Sequence, residues 1–237
     1  MPRAMSRLQY IRAAFIKNGS VKPHPSNFDV AEDPLPNRVR IRSSIDPISL
    51  QADGKRKAEF KLALGQAVKV ATSGIYTHDV EVTLAWYIEE HRRYQTHIVA
   101  DLDNVMKPIL DAITGPDGVL IDDNQIQSIK ASWLTPGAYG TGFDLTLEPL
   151  MTGDYCTRDG LSFVEFSADR CYLVPGGVKG HEDLFVGAYR QAVFAYRTQL
   201  EAGIVEEVAR SVLPIARPFP RARLSRFDIR HESQFSN

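Results

Sequence analysis

Between His78 and Glu90 the chain alternates cleanly, with Val80, Val82, Leu84, Trp86 and Ile88 on one side and Glu81, Thr83 and Tyr87 on the other. Side chains of a strand point alternately to opposite faces, so this period makes the segment a strand with one face to bury. It requires a sheet and a layer to cover it. Val39-Arg-Ile-Arg42 supplies an earlier strand, and Phe60, Leu64, Ala67 and Val68 recur at helical spacing over 57 to 68. A second helix is expected from about Asn104 to Ile113, striped by Val105, Met106, Ile109, Leu110 and Ile113 and stopped by Gly115-Pro-Asp-Gly118. Ile129, Ala131 and Trp133 alternate in one further strand and Phe143, Leu145 and Leu147 in another. The turn-rich segment 136 to 142 between them predicts a hairpin. The order is β-α-β-α-β-β, and helical crossovers favour parallel neighbours whereas a hairpin is antiparallel. The expected fold class is therefore α/β (α+β), a mixed β-sheet packed by helices.

After residue 151 the pattern changes to a C-terminal hairpin at about 161 to 174 and a helix from about Glu182 to Leu200. Leu184, Phe185, Ala188, Ala192, Val193 and Tyr196 form that helix's predicted buried stripe. A short helix near 204 to 212 precedes Pro214, Pro218 and Pro220, beyond which a basic tail reads as extended or irregular. The expected organisation is a basic N-terminal arm over 1–38, a central unit over 39–151 and an extension over 152–237. With 43% hydrophobic and 24% charged residues, the 237-residue chain can bury one good core and a second small lobe. No long apolar run marks a membrane span or a secretory signal, so the expected setting is cytoplasmic with no membrane partner. Cys156 and Cys171 lack ligand spacing and read as reduced packing residues. His78, His91, His97 and His181 form no ligand spacing either, and Trp86 and Trp133 read as core residues. The net charge of −1 hides an uneven distribution. Arg3, Arg7, Arg12, Lys17 and Lys22 make the start basic, and Arg210, Arg217, Arg221, Arg223, Arg226 and Arg230 make the end basic. Such ends are either solvated faces or phosphate contacts.

The chemistry is concentrated in Ala100-Asp-Leu-Asp-Asn-Val-Met-Lys-Pro108 and in Ile121-Asp-Asp-Asn-Gln-Ile126. Pro108 has no amide hydrogen and is best tolerated in a first helical turn, which predicts a helix start near Asn104 with Asp103 at its N-cap. Asp101 then lies in extended chain and projects beside Asp103, while Lys107 sits one turn further on. If the strand after Gly118 pairs beside the one ending near Ile98, Asp122-Asp123 brings further carboxylate to the pair. Like charges at one point persist near neutral pH only if a cation binds or some are protonated. A hard divalent ion such as Mg²⁺ takes oxygen ligands and commonly adds substrate phosphate oxygens, which points to phosphodiester hydrolysis. Read singly, Asp103 is equally an N-cap, Asp122 and Asp123 turn residues, and Lys107 an exposed helix lysine.

Taken together, Asp101-Leu-Asp-Asn104, Lys107, Leu110-Asp-Ala112 and Asp122-Asp-Asn-Gln-Ile126 resemble the RusA family of Holliday-junction resolvases. The resemblance implies a mixed α/β catalytic domain over about 39–150 that works as a homodimer on branched DNA, in recombination and repair. It implies Asp101, Asp103 and Asp123 as Mg²⁺ ligands, with Mn²⁺ as a substitute, and Lys107 as a functional lysine. Asp122, Asn104 and Gln125 are expected to support them. One departure concerns substrate contacts. The family commonly carries a dense basic run directly before the Asp-x-Asp, whereas here Arg92 and Arg93 lie upstream of Tyr94-Gln-Thr-His-Ile-Val-Ala100. The basic tail is a candidate replacement. Two other readings compete: a non-catalytic DNA-binding or assembly module on the same fold, and a two-carboxylate glycosidase, which the close Asp101/Asp103 spacing and Lys107 disfavour.

Overall fold

The structure, a computed structural model, describes residues 22–34, 37–94, 100–137, 140–167, 170–178, 180–213 and 218–235. Most of the basic start, together with His97 and Arg217, lies outside them. The strand read between His78 and Glu90 forms as β4 (Val80–Tyr87), and Val80, Val82, Leu84 and Trp86 are all buried. Its neighbours are β1 (Phe28–Asp33), β2 (Arg38–Ser43), β5 (Ile126–Leu134) and β6 (Gly142–Pro149) in the order β1-β2-β6-β4-β5. Helices α1 (Gly54–Ala71) and α3 (Leu102–Ala112) contribute Phe60, Leu64, Val68, Val105 and Ile109 to the same core as the strands. The short α2 (Glu90–Arg93) follows β4. The mixed sheet packed by helices is the expected class. The outer face carries cross-strand charge pairs: Arg40 with Asp33, Arg42 with Asp144 and Arg38 with Glu148. A sheet covered on one face and wet on the other produces that alternation.

One expectation fails here for an identifiable reason. β5 and β6 do not form a hairpin: β5 runs parallel to β4, and β6 lies between β2 and β4, antiparallel to both. The burial of the two strands explains the choice. Phe143, Leu145 and Leu147 of β6 are fully buried and suit a central position, whereas β5 exposes Gln127 through Lys130 and suits an edge. β1, within the segment read as a basic arm, extends the sheet by pairing antiparallel with β2.

The extension folds around a second sheet of β8 (Ser162–Ser167), β9 (Arg170–Val174), β10 (Phe219–Pro220) and β11 (Ile229–His231), ordered β10-β9-β8-β11. The expected hairpin is β8 and β9. Of the two readings of the tail, the extended one holds at its strands, where β10 pairs with β9 and β11 pairs parallel with β8. Tyr172 and Val174 of β9 pack toward α4 (Glu182–Glu201), while Cys171 and Leu173 share a cluster with Ile75 and Ile121 of the first unit. A strand buried on both sides must be apolar throughout, and Cys171 to Val174 are all buried. On α4 the buried stripe is Val186, Tyr189, Val193 and Tyr196, rotated from the one predicted, and Leu184 is 75% exposed. Tyr189 decides the rotation: its ring packs on Phe166 and Tyr172, and its hydroxyl donates to the Leu173 carbonyl. α5 (Glu206–Ala209) follows. Both cysteines are free, as expected. No helix among the described residues is long and apolar enough to cross a membrane.

Candidate active site

α3 starts two residues earlier than Pro108 suggested, with Asp101 at the N-cap and Asp103 in the first turn. The proline is inside the helix, in its second turn. Lacking an N–H, Pro108 leaves the Asn104 carbonyl without its helical donor. The Leu50 amide fills the gap, donating to that carbonyl at 2.7 Å. A contact from a distant loop thus removes the penalty that would have made Pro108 a helix start. The Asp101 side chain makes no capping hydrogen bond. Asp101 and Asp103 are exposed, and among the described residues their carboxylates make no ion pair.

Beyond α3 the chain turns back at once. The Gly115 amide donates to the Leu120 carbonyl, and the Val119 and Leu120 amides donate to the Ile113 carbonyl. The turn depends on two glycines: Gly115 has φ +112, and a Cβ at Gly118 would lie 2.0 Å from the Ile113 carbonyl oxygen. This return sets Ile121-Asp122-Asp123 alongside α3. Gln125, fully buried in the 3-10 turn Asp123–Gln125, fixes it there. Its Oε1 accepts from the Ile121 and Asp122 amides, and its Nε2 donates to the Tyr76 and His78 carbonyls. Gln125 therefore positions the acidic turn, and its carboxamide is fully engaged.

The outcome is a compact charged cluster. Lys107 Nζ lies 2.5 Å from Asp123 Oδ2 and 2.8 Å from Asp111 Oδ1, and Lys61 reaches Asp111 at 2.6 Å. Hydrogen bonds to Asp111 and Asp123 raise the Lys107 pKa, and the bond from Lys107 holds Asp123 below the usual carboxylate value. Burial raises Asp122, which is 4% exposed and whose Oδ2 has no hydrogen-bond partner among the described residues. Burial also opposes ionisation of Asp111, but the bonds from Lys107 and Lys61 outweigh it and lower its pKa.

Lys107, Asp111, Asp122 and Asp123 line a cavity of about 300 Å³. Arg223 and Arg226 of the C-terminal extension line its other side. Asp101 and Asp103 are not among the lining residues, since Asp103 lies a full turn before Lys107, about 6 Å along the helix axis. Among the described residues, no three His, Cys, Asp or Glu side chains stand in an arrangement ready to hold a metal ion. Asp111 was readable as Lys107's i+4 neighbour, whereas nothing local marks Arg223, which lies a hundred residues from Asp123.

Residues 48–141, less than half of the chain, match the family model described as endodeoxyribonuclease RusA. The match spans α1 through β5 and bears out the resemblance seen in the sequence: this segment is similar to a family of endodeoxyribonucleases. No curated protein matches the chain.

Proposed function

We propose that the chain is a divalent-metal-dependent endonuclease that hydrolyses phosphodiester bonds in branched DNA, with Holliday junctions as its substrate class. The observation that carries this reading is the Lys107–Asp123 contact beside the helix bearing Asp101 and Asp103, all within the segment that matches the nuclease family. Asp101, Asp103 and Asp123 are assigned as ligands of Mg²⁺, with Mn²⁺ as a substitute. Their chemistry fits the assignment: carboxylate oxygens alone suit a hard cation, two of the three carboxylates are unpaired among the described residues, and the neighbouring Asp122 keeps an unpartnered buried oxygen. When bound, such an ion lowers the pKa of a coordinated water and neutralises phosphate charge.

The chain's own residues do the rest. Lys107 keeps Asp123 ionised and in place, and its ammonium, once the carboxylate is engaged elsewhere, stabilises negative charge on the scissile phosphate. Gln125 holds the Asp122-Asp123 turn, and Asp111 orients Lys107 from the next helical turn. A homodimer, a cytoplasmic setting and a role in recombination and repair belong to the same proposal.

Purified protein incubated with four-way, flap and linear DNA in Mg²⁺ or Mn²⁺ tests it. Asp101→Asn, Asp103→Asn and Asp123→Asn should each lower cleavage by at least about 100-fold, more than the loss of a supporting residue. Cutting by the variants at the parental rate would overturn the ligand assignment. One observation favours a second reading, a DNA-binding module without catalysis: Asp123 is already paired with Lys107, and the carboxylates are not gathered around one point. Salt-sensitive binding of junction DNA with no cleavage in either metal would establish that alternative.

A further inference from the structure

The segment from Phe219 to Phe227 crosses from the second sheet to the acidic turn, and its three arginines have different fates. Arg221 is committed to Glu165. Arg226 donates to the Thr114 carbonyl and lies against Gly115, where a Cβ would fall 2.0 Å from its guanidinium. Arg223 is the exception. Its Nη1 lies 3.7 Å from both Asp122 Oδ1 and Asp123 Oδ1, outside hydrogen-bonding range, and its side chain remains 59% exposed. An ion pair that open holds its partner weakly.

The placement of Arg223 is nevertheless firm, because the backbone beneath it is anchored. Phe219 is fully buried and pairs with Cys171 in β9. Leu224 is fully buried in the cluster that contains Ile121. Leu224 follows Arg223 and Ile121 precedes Asp122, so packing Leu224 with Ile121 sets Arg223 against Asp122. Arg226, clasped on Thr114, fixes the far end.

The cavity therefore has a mixed rim. Asp111, Asp122 and Asp123 would by themselves repel a phosphate, and Lys107 is engaged by two of them. The arginines upstream of the Asp-x-Asp are also committed: Arg92 pairs with Asp46 at 2.9 Å, and Arg93 lies over the Trp133 ring. A guanidinium offers a planar fork of donors that matches a phosphate. We propose that Arg223 is a substrate-binding residue, supplied by the C-terminal extension from outside the family-matched segment, that receives a DNA backbone phosphate at the mouth of this cavity. The proposal rests on the nuclease reading for the identity of its substrate.

The test uses the full chain, a fluorescein-labelled four-way junction and a linear duplex of the same sequence, with Ca²⁺ replacing Mg²⁺ and Kd measured across a KCl series. Arg223→Gln should weaken binding to both DNAs by about tenfold. It should also reduce the slope of log Kd against log salt by about 0.9, the signature of one lost phosphate contact. Arg223→Lys should restore the slope. Because the side chain is exposed, the thermal midpoint should not move, which separates lost contact from lost fold. Unchanged affinity and slope in Arg223→Gln would overturn the proposal. So would tighter Mn²⁺ binding with faster cleavage, which would make Arg223 a restraint on the acids. A reduced slope in the variant of a protein that cuts nothing would sustain Arg223 and sink the nuclease reading. Cleavage by a protein whose variant binds normally would do the reverse, and failure of the unaltered protein to bind either DNA would overturn both.

Discussion

The sheet that carries the acidic residues and the sheet that carries the arginines are stabilised in different ways. The first is buried on one face only, so its strands alternate and its outer face is tied by charge pairs such as Arg42–Asp144. The second is sandwiched, with α4 on one side and the first unit on the other, and β9 is buried from Cys171 to Val174. A one-sided sheet has a core of its own. A sandwiched one is complete only when both neighbours are present, so the extension should depend on its docking to the first unit more than the reverse.

The strongest way to break this comparison is to empty the shared cluster. Phe219 is fully buried against Phe163, and Phe219→Ala should cost about 3 to 5 kcal/mol. Hydrogen exchange should then rise in β8 to β11 while β4 stays protected; equal loss in both sheets would show that they fold as one cooperative unit. Next in size is Gln125→Leu, which removes partners from four backbone groups, three of them buried, at about 2 to 3 kcal/mol. Cleavage should fall with it even where the protein remains folded, because the Asp122-Asp123 turn loses its clamp.

Arg158 offers a milder probe of how the units are joined. Its guanidinium donates to the carbonyls of Lys69 and Thr72 at the end of α1 and to those of Asp117 and Gly118. Arg158→Ala should lower stability by about 1 to 3 kcal/mol in denaturant titration, since four carbonyls lose a charged donor. A change below about 0.5 kcal/mol would show that water replaces it. The smallest effect concerns Cys156, whose thiol burial pushes up to about 11, so that at pH 8 roughly one molecule in a thousand carries the thiolate. Alkylation of the native protein should be slow at pH 8 and accelerate about tenfold per pH unit, because raising pH restores the reactive form. A fast, pH-independent reaction would show β7 (Tyr155–Thr157) opening away from β3 (Gly74–Tyr76).

Much of the acidic cluster was legible because its members are local. Asp103, Lys107 and Asp111 are successive i+4 neighbours on one helix, and Gly115-Pro-Asp-Gly118 announces the return that carries Asp123 back. The start of α3 was not legible. Pro108 counts as a helix breaker only until a donor from elsewhere is supplied, and Leu50 supplies it from more than fifty residues away. The buried stripe of α4 was misread for a related reason. Leu184 and Phe194 are as apolar as the residues that are buried, and the position of the aromatic cluster around Tyr189 decided which face turned inward.

The alternation in β4, the helical stripe of α3 and the spacing of carboxylates around Lys107 were determined by the sequence itself, because a strand or a helix repeats every few residues and sorts its side chains without help. The insertion of β6 between β2 and β4, and the delivery of Arg223 to Asp122 and Asp123, were decided by tertiary structure alone. Both depend on which buried surfaces fit against each other, Leu224 with Ile121 in the second case, and packing between distant segments leaves no period in the chain to be read.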